Sequence, residues 1–328
     1  MFSRARRKMV MAVGLALLLA GCGATEVSPQ APGGVPQAPS GTEPRVTVAM
    51  VTHAQPGDTF WDIIRLGAGD AAVQGNVNLV YSSDGDATRQ VALIDKAVQD
   101  KVDGLVVSVP NAGVLTPAIK KAEAAGIPVI GFNAGRESYR DWGAMMYFGQ
   151  DESAAGRAAG ERLTQEGATK VLCVIQAQGQ SQLEARCDGV TQTFPQTEKL
   201  YVTGTDLGAV RTTLEQALKG DPSISNVLTL GAPFALTAAD AAKAVGSQAK
   251  IATFDTNSKL IAAIEAGQVQ WAVDQQPYLQ GFLAIESAAL YLRNGNVVGG
   301  GTAVLTGPTF IDKSNINTIV PFAKSGKR

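Results

Sequence analysis

The chain is poor in the residues that most chemistry needs. Its 328 residues include one histidine, three cysteines and three tryptophans, and only 17% are charged. With His53 the sole imidazole, no cysteine–histidine cluster of the kind that holds zinc can form. A histidine-dependent triad would have only His53 to use, and the G-x-S-x-G elbow of the α/β-hydrolases is missing. There is no Walker A motif. Gly67-Ala68-Gly69 falls inside a helix-period segment instead of after a strand, so it is not a dinucleotide loop. No cofactor and no metal are expected. Basic and acidic residues nearly balance, 28 against 29, and no basic stripe is present, which argues against a nucleic-acid partner.

What is present begins with an export signal. Arg4, Arg6, Arg7 and Lys8 precede an apolar run over residues 9–20, the layout of a signal peptide and too short for a membrane span. The run closes with Leu19-Ala20-Gly21-Cys22, which resembles a bacterial lipobox, with residues 1–21 removed and Cys22 lipidated. An ordinary secretory peptide is the alternative. Residues 22–44 carry Pro29, Pro32, Pro36, Pro39 and Pro44 among small polar residues, a composition that stays extended and works as a tether. The expected location is therefore outside the cell, lipid-anchored to the outer face of the cytoplasmic membrane, in the envelope or periplasm. In that oxidising space Cys173 and Cys187 are expected to form a disulfide, two buried thiols being the alternative.

From Arg45 onward, short β-branched runs alternate with alanine-rich segments of helical period. The predicted strands are VTVAMV, VNLVYS, GLVVSV, PVIGFN, KVLCVI, LYVTG, NVLTL, KIATFD and QWAVD. Strands this apolar are buried on both faces, as in parallel sheets covered by helices. Nine of them exceed one ordinary doubly wound sheet, so the predicted fold class is α/β with two such sheets. Ligand sites in these sheets lie beyond the carboxyl ends of the strands. The loops there offer Asp58, Asn111, Asn133, Arg186, Asp255, Asn257 and Gln275, with Phe60, Trp61 and Phe254 beside them. Amides and carboxylates facing an arginine suit hydroxyls, which both donate and accept, and aromatic rings suit the C–H faces of a sugar. Each residue also has a plainer reading. Phe60 suits a helix core, Arg186 a surface pair with Glu184 or Asp188, Asp255 a helix cap, and His53 a loop beside the cleft.

The loop PGDTFWD, then GIPVIGFN, YFGQDE, LEARCDG, IATFDTN and WAVDQQPYLQG, in this order, give the chain a resemblance. From about residue 45 to 322 it resembles the ribose-type extracytoplasmic sugar-binding proteins of ABC transporters. The resemblance implies the type I periplasmic binding protein fold, two lobes joined by three hinge crossings. It places residues 45–149 and 276–303 in an N-terminal lobe, and 150–275 and 304–324 in a C-terminal lobe. It implies that Phe60 and Trp61 stack on a sugar ring and that Asp58 makes the polar contact just before them. By the same resemblance Asn133 stands where the family usually has an aspartate, Arg186 matches the arginine that reaches ligand oxygens from the second lobe, Phe254-Asp255 match an aromatic–aspartate pair, and Gln275 matches the glutamine at the last hinge crossing. Gly231-Ala232-Pro233-Phe234 replaces a common asparagine–aspartate pair, and Gln176, Gln178 and Gln180 add amides, so a polyol or cyclitol is as fitting as a pentose.

The implied function is capture of a small sugar or sugar alcohol by closure of the lobes and delivery to an ABC permease. The chain would act as a monomer that meets the membrane only through its lipid. A receptor feeding a signalling partner and a lipid-anchored hydrolase with Asp58 and Asp255 as paired carboxylates are the alternatives. On this reading Arg186→Ala or Asp255→Ala abolishes binding and leaves the fold intact.

Overall fold

The computed structural model describes residues 44–328 apart from Pro56. The signal segment, Cys22 and the tether up to residue 43 lie outside the described residues.

The alternating apolar runs form two six-stranded sheets. The first contains β1 (Val46–Thr52), β2 (Val77–Ser83), β3 (Gly104–Val107), β4 (Val129–Phe132) and β5 (Met146–Gln150). α1 (Thr59–Gln74), α2 (Ala87–Gln99) and α3 (Ala112–Ala124) connect them. The second contains β6 (Val171–Ile175), β7 (Thr197–Tyr201), β8 (Asn226–Thr229), β9 (Lys250–Phe254) and β10 (Trp271–Asp274). Its helices are α4 (Glu152–Gln165), which leads into β6, then α5 (Ser181–Thr193), α6 (Leu207–Gly220), α7 (Ala232–Val245) and α8 (Ser258–Ala266). After β10, α9 (Pro277–Asn294) returns to the first lobe, β11 (Val304–Gly307) and β12 (Thr309–Asp312) follow, and α10 (Val320–Lys324) comes last.

Strand order is β11-β5-β4-β3-β1-β2 in one sheet and β12-β10-β9-β8-β6-β7 in the other. Among the described residues all strand pairings are parallel except that of β12 with β10. β3 and β4 are buried at every position, as strands covered on both faces must be. Among the described residues, six helices start on an Asp or Asn whose side chain accepts a backbone N–H of the first turn, Asp58, Asp86, Asn111, Asp151, Asp206 and Asn257.

The chain passes between lobes after β5, after β10, and between β11 and β12 through the cis Gly307–Pro308 bond. Placing residues 304–324 in the second lobe is therefore off by one strand. Val304 lies opposite Phe148 and Leu305 opposite Gly149, so β11 occupies the free edge of β5 and the crossing comes only afterwards.

Two helix pairs pack unusually closely, one in each lobe, where glycine replaces a side chain. A Cβ on Gly281 of α9 would come 2.2 Å from the Ile64 carbonyl oxygen of α1, and one on Gly189 of α5 would come 2.4 Å from that of Ser153 in α4. The second approach seats Glu152, at the start of α4, against Arg186 of α5. Cys173 on β6 is bonded to Cys187 on α5, their Cα atoms 5.9 Å apart. Both are fully buried, so α5 is stapled to the sheet beneath it one residue from Arg186.

Candidate functional site

A cavity of about 230 Å³ lies between the lobes where the strand ends converge. The first lobe supplies His53, Gln55, Asp58, Thr59, Phe60, Trp61 and Asn133, and Gln275 comes from the hinge. The second lobe's share includes Gln176, Gln182, Arg186, Asp255 and Thr256.

The aromatic pair divides its labour. Trp61 is almost wholly buried, set edge-on to His53, Phe60 and Phe132 with ring centroids 4.7, 5.4 and 6.2 Å away. Phe60 is half-buried. Both line the cavity, so Trp61 is at once core and wall. Asp58 caps α1 by accepting the Phe60 N–H at 3.0 Å. Burial raises its carboxyl to about pH 6 against that hydrogen bond.

His53 is held from both sides. Its Nδ1 lies 2.8 Å from the Ser108 hydroxyl, and its Nε2 lies 3.1 Å from Nε2 of Gln182 in the opposite lobe. Burial, reinforced by Arg186, lowers its pKa to about 3, so the ring is neutral. Because the Gln182 amide donates to Nε2, the ring proton sits on Nδ1 and is donated to Ser108.

Arg186 is buried in the opposite wall. Its Nε and Nη2 donate to the two carboxylate oxygens of Glu152 at 2.6 and 3.2 Å, and its Nη1 is 3.7 Å from Asp255 Oδ2. Its partner is Glu152 on the neighbouring helix, and neither Glu184 nor Asp188 pairs with it. Burial opposes its charge, and Glu152 and Asp255 outweigh burial, leaving its pKa raised. Asp255 is pushed up to about 7 by burial, against Arg186 and the 2.6 Å hydrogen bond from Gln275 Nε2. Asn133 donates to Gln275 and Gln280 Oε1 at 3.4 and 3.2 Å. Asn133 and Asp255 both have left-handed backbones, φ 63° and 66°, conformations that Asn and Asp adopt more readily than other non-glycine residues.

Three expected site residues lie elsewhere. Asn111 is exposed, capping α3 by accepting the Val114 N–H, and does not line the cavity. Phe254 is fully buried with the Arg186 guanidinium 4.8 Å above its ring, a shelf under the arginine and not a wall. Asn257 caps α8 and donates to the Thr59 hydroxyl across the cleft at 3.2 Å. That bond, the Ser181 N–H to Pro110 carbonyl bond at 3.2 Å and the His53–Gln182 contact join the lobes in a closed arrangement.

Other residues at the site went unread in the sequence, chiefly Gln182 and Thr256 in the cavity wall and Glu152 behind Arg186. Gln182 belonged to a run already rich in amides, so that signal was available; Thr256 had none. Among the described residues, Gln176 Oε1, Gln182 Oε1 and Thr256 Oγ1 are buried without a hydrogen-bond partner. All three residues line the cavity. Apolar surface comes from Leu230, Pro233 and Phe234. A chamber with unpaired donors and acceptors between an indole and an apolar wall fits a small neutral molecule carrying many hydroxyls. No group of three or more His, Cys, Asp or Glu among the described residues could hold a metal ion.

The electrostatics of Asp255 yield a prediction. Its folded pKa of about 7 exceeds the ordinary 3.8, so between those values the folded protein keeps a proton that the unfolded chain has lost. Stability therefore falls as pH rises through that window and is level above it. Asp255→Asn is expected to flatten this slope, leaving the variant close to wild type at acid pH and more stable by a few kcal/mol near pH 7, on the order of what a carboxyl pKa moved from 3.8 to about 7 supplies. The same change should weaken ligand binding at least 100-fold, roughly 2.7 kcal/mol. Urea titrations at several pH values and calorimetry check both; an unchanged slope would remove Asp255 as its source.

Comparison with known proteins gives concordant results. The model of the periplasmic binding protein domain matches residues 48–296. A carbohydrate transporter from Acidothermus cellulolyticus 11B, solved in complex with myo-inositol, is 58% identical with a TM-score of 0.86, covering 87% of this chain and 100% of its own. The xylose/arabinose-binding protein of Sulfolobus acidocaldarius is 25% identical over 293 residues, 83% of this chain and 72% of the relative. The ribose import binding protein of Bacillus subtilis is 25% identical over 226 residues, 67% of this chain and 72% of the relative.

Proposed function

Since the chain belongs to the periplasmic binding protein domain family, we propose that it captures a small neutral polyol, foremost a cyclitol such as myo-inositol, for import by an ABC permease. The observation that carries this reading is the cavity of about 230 Å³ between the lobes with unpaired polar atoms in its walls. It is smaller than the roughly 300–1,000 Å³ of drug-sized pockets. A ring with a hydroxyl on each carbon presents donors and acceptors in every direction. Asp58, Asn133 and Gln275 can meet them from one side, and Gln176, Gln182, Arg186, Asp255 and Thr256 from the other. The CH groups of the ring rest on Phe60, Trp61 and Phe234. Asp58, Asp255 and Glu152 outnumber the single Arg186, so an anionic ligand such as a sugar phosphate is disfavoured.

Capture works by closure. A ligand that touches both lobes favours the closed state by its differential affinity, and closure presents the surface that a permease reads. Cys22 as a lipid anchor, residues 22–44 as the tether, and a monomer on the outer membrane face complete the proposal. The chain acts by binding and release and catalyses no reaction, in keeping with relatives that are transport binding proteins.

Thermal unfolding of the full chain against inositols, pentoses, hexoses and polyols tests this. A ligand at about 1,000 times its Kd adds roughly 4 kcal/mol. The expected result is a rise of several degrees in Tm with myo-inositol and little with ribose or xylose. A pentose-only response would overturn the cyclitol assignment, and a flat panel the polyol reading.

A further inference from the structure

After α10 the backbone of the second lobe turns back on itself, with Gly326 at φ 73° and the Lys327 N–H bonded to the Phe322 carbonyl at 2.9 Å. The turn sends the next two side chains across the hinge. Lys327 Nζ lies 3.5 Å from Asp70 Oδ2 on α1 and 5.0 Å from the ring centroid of Tyr278 on α9, both in the first lobe. Tyr278 donates its hydroxyl to the same Asp70 oxygen at 2.7 Å. Arg328 forms an ion pair with the fully buried carboxylate of Asp274 and donates to Gln276 Oε1 at 3.1 Å.

These contacts converge on the hinge. Asp274 ends β10 and accepts the Gln276 N–H at 2.9 Å. Gln276 holds a left-handed backbone, φ 56°, and donates to the Thr306 carbonyl on β11 at 2.7 Å. Arg328 thus binds one crossing directly and reaches a second through Gln276. Between Asp274 and Gln276 lies Gln275, which faces the cavity and donates to Asp255.

We propose that Lys327 and Arg328 form a latch across the hinge, Arg328 anchoring segment 325–328 to the crossings and Lys327 holding the first lobe closed through Asp70 and Tyr278. Rotating the lobes apart carries α10 away from α1 and α9, so the Lys327 contacts break on opening. The Arg328 ion pair stays near the pivot and sets the reach of Lys327. Both are positioning residues; neither lines the cavity. The latch rests on the proposed capture by closure and adds a contact on the closed state that owes nothing to the ligand.

Hydrogen exchange on the full chain reads it at the Ser181 amide, which donates to Pro110 across the cleft. Arg328→Gln is expected to speed exchange there about tenfold, a shift that a lost buried ion pair can supply. Lys327→Gln, which removes an exposed pair and a cation–π contact, should speed it roughly two- to threefold. Amides of β3 should be unaffected. An unchanged Ser181 rate in both variants would overturn the latch. So would a return to the wild-type rate in Asp274→Asn/Arg328→Gln, since that outcome traces the effect to an unpaired carboxylate. Should Arg328→Gln also loosen β3, Lys327→Gln decides alone. Dissociation of myo-inositol should quicken by the same factors. If no inositol binds at all, the ligand assignment fails and the exchange result still judges the latch.

Discussion

Arg186→Ala is expected to abolish measurable ligand binding and to cost about 3–5 kcal/mol of folding stability, the range for breaking a buried ion pair. Read from sequence, this arginine was a ligand contact whose loss would leave the fold intact. The structure alters that expectation, because the guanidinium forks onto Glu152 and stands 3.7 Å from Asp255. Truncation leaves both carboxylates buried without a cation, Glu152 left with the Gln150 amide and Asp255 with that of Gln275. Asp255, already near neutrality, can take up a proton, so Glu152 bears most of the penalty. Adding Glu152→Gln to Arg186→Ala should therefore recover a large part of the lost stability and none of the binding. Urea unfolding and calorimetry on the two variants separate these effects. An Arg186→Ala protein as stable as wild type would show that the fork contributes nothing to the fold.

Replacing both Cys173 and Cys187 by alanine should lower stability by about 3 kcal/mol, the loop-closure value for a separation near 15 residues. The bridge spans 14 residues. Its sulfurs are buried, so reducing agent should act on the native protein only as fast as the second lobe opens locally. The double variant should also bind more weakly, since α5 carries Gln182 and Arg186 into the cavity and the bridge ties that helix to β6. A lowered urea midpoint with a somewhat larger m-value is the expected signature, because the unbridged chain unfolds to a less compact state. Free thiols in native wild-type protein, found by mass spectrometry, would remove the bridge from the account.

The two-sheet α/β fold was legible because strands buried on both faces write unbroken apolar runs. What escaped did so for physical reasons. β5 includes Gly149 and Gln150, which break the β-branched signature, and was read only as the motif YFGQDE. β7 is an edge strand, open to solvent along one side, so its Glu198 and Lys199 hid it and the prediction slid to the more apolar LYVTG. Of the ten expected site residues, seven line one cavity: Asp58, Phe60, Trp61, Asn133, Arg186, Asp255 and Gln275. Asn111 and Asn257 were drawn in because a cap and a ligand contact ask for the same side chain. The Glu152–Arg186 fork could not be read, since it depends on how closely two helices separated by a strand approach each other.

Anyone wishing to redirect the cleft to a new ligand by randomising its walls inherits a constraint from the left-handed backbones. Asn133, Asp255 and Gln276 sit at φ 63°, 66° and 56°. A β-branched side chain there would be strained whatever it offered a ligand. Saturation libraries at these codons would lose about 1–2 kcal/mol of stability at most substitutions, with Asn, Asp and Gly enriched among the most stable clones. Gln176, Pro233 and Phe234 have ordinary backbones, and variation there alters the shape of the chamber without disturbing the hinge. Diversity is best placed at those three positions, where changing what the chamber accepts does not also change how it closes.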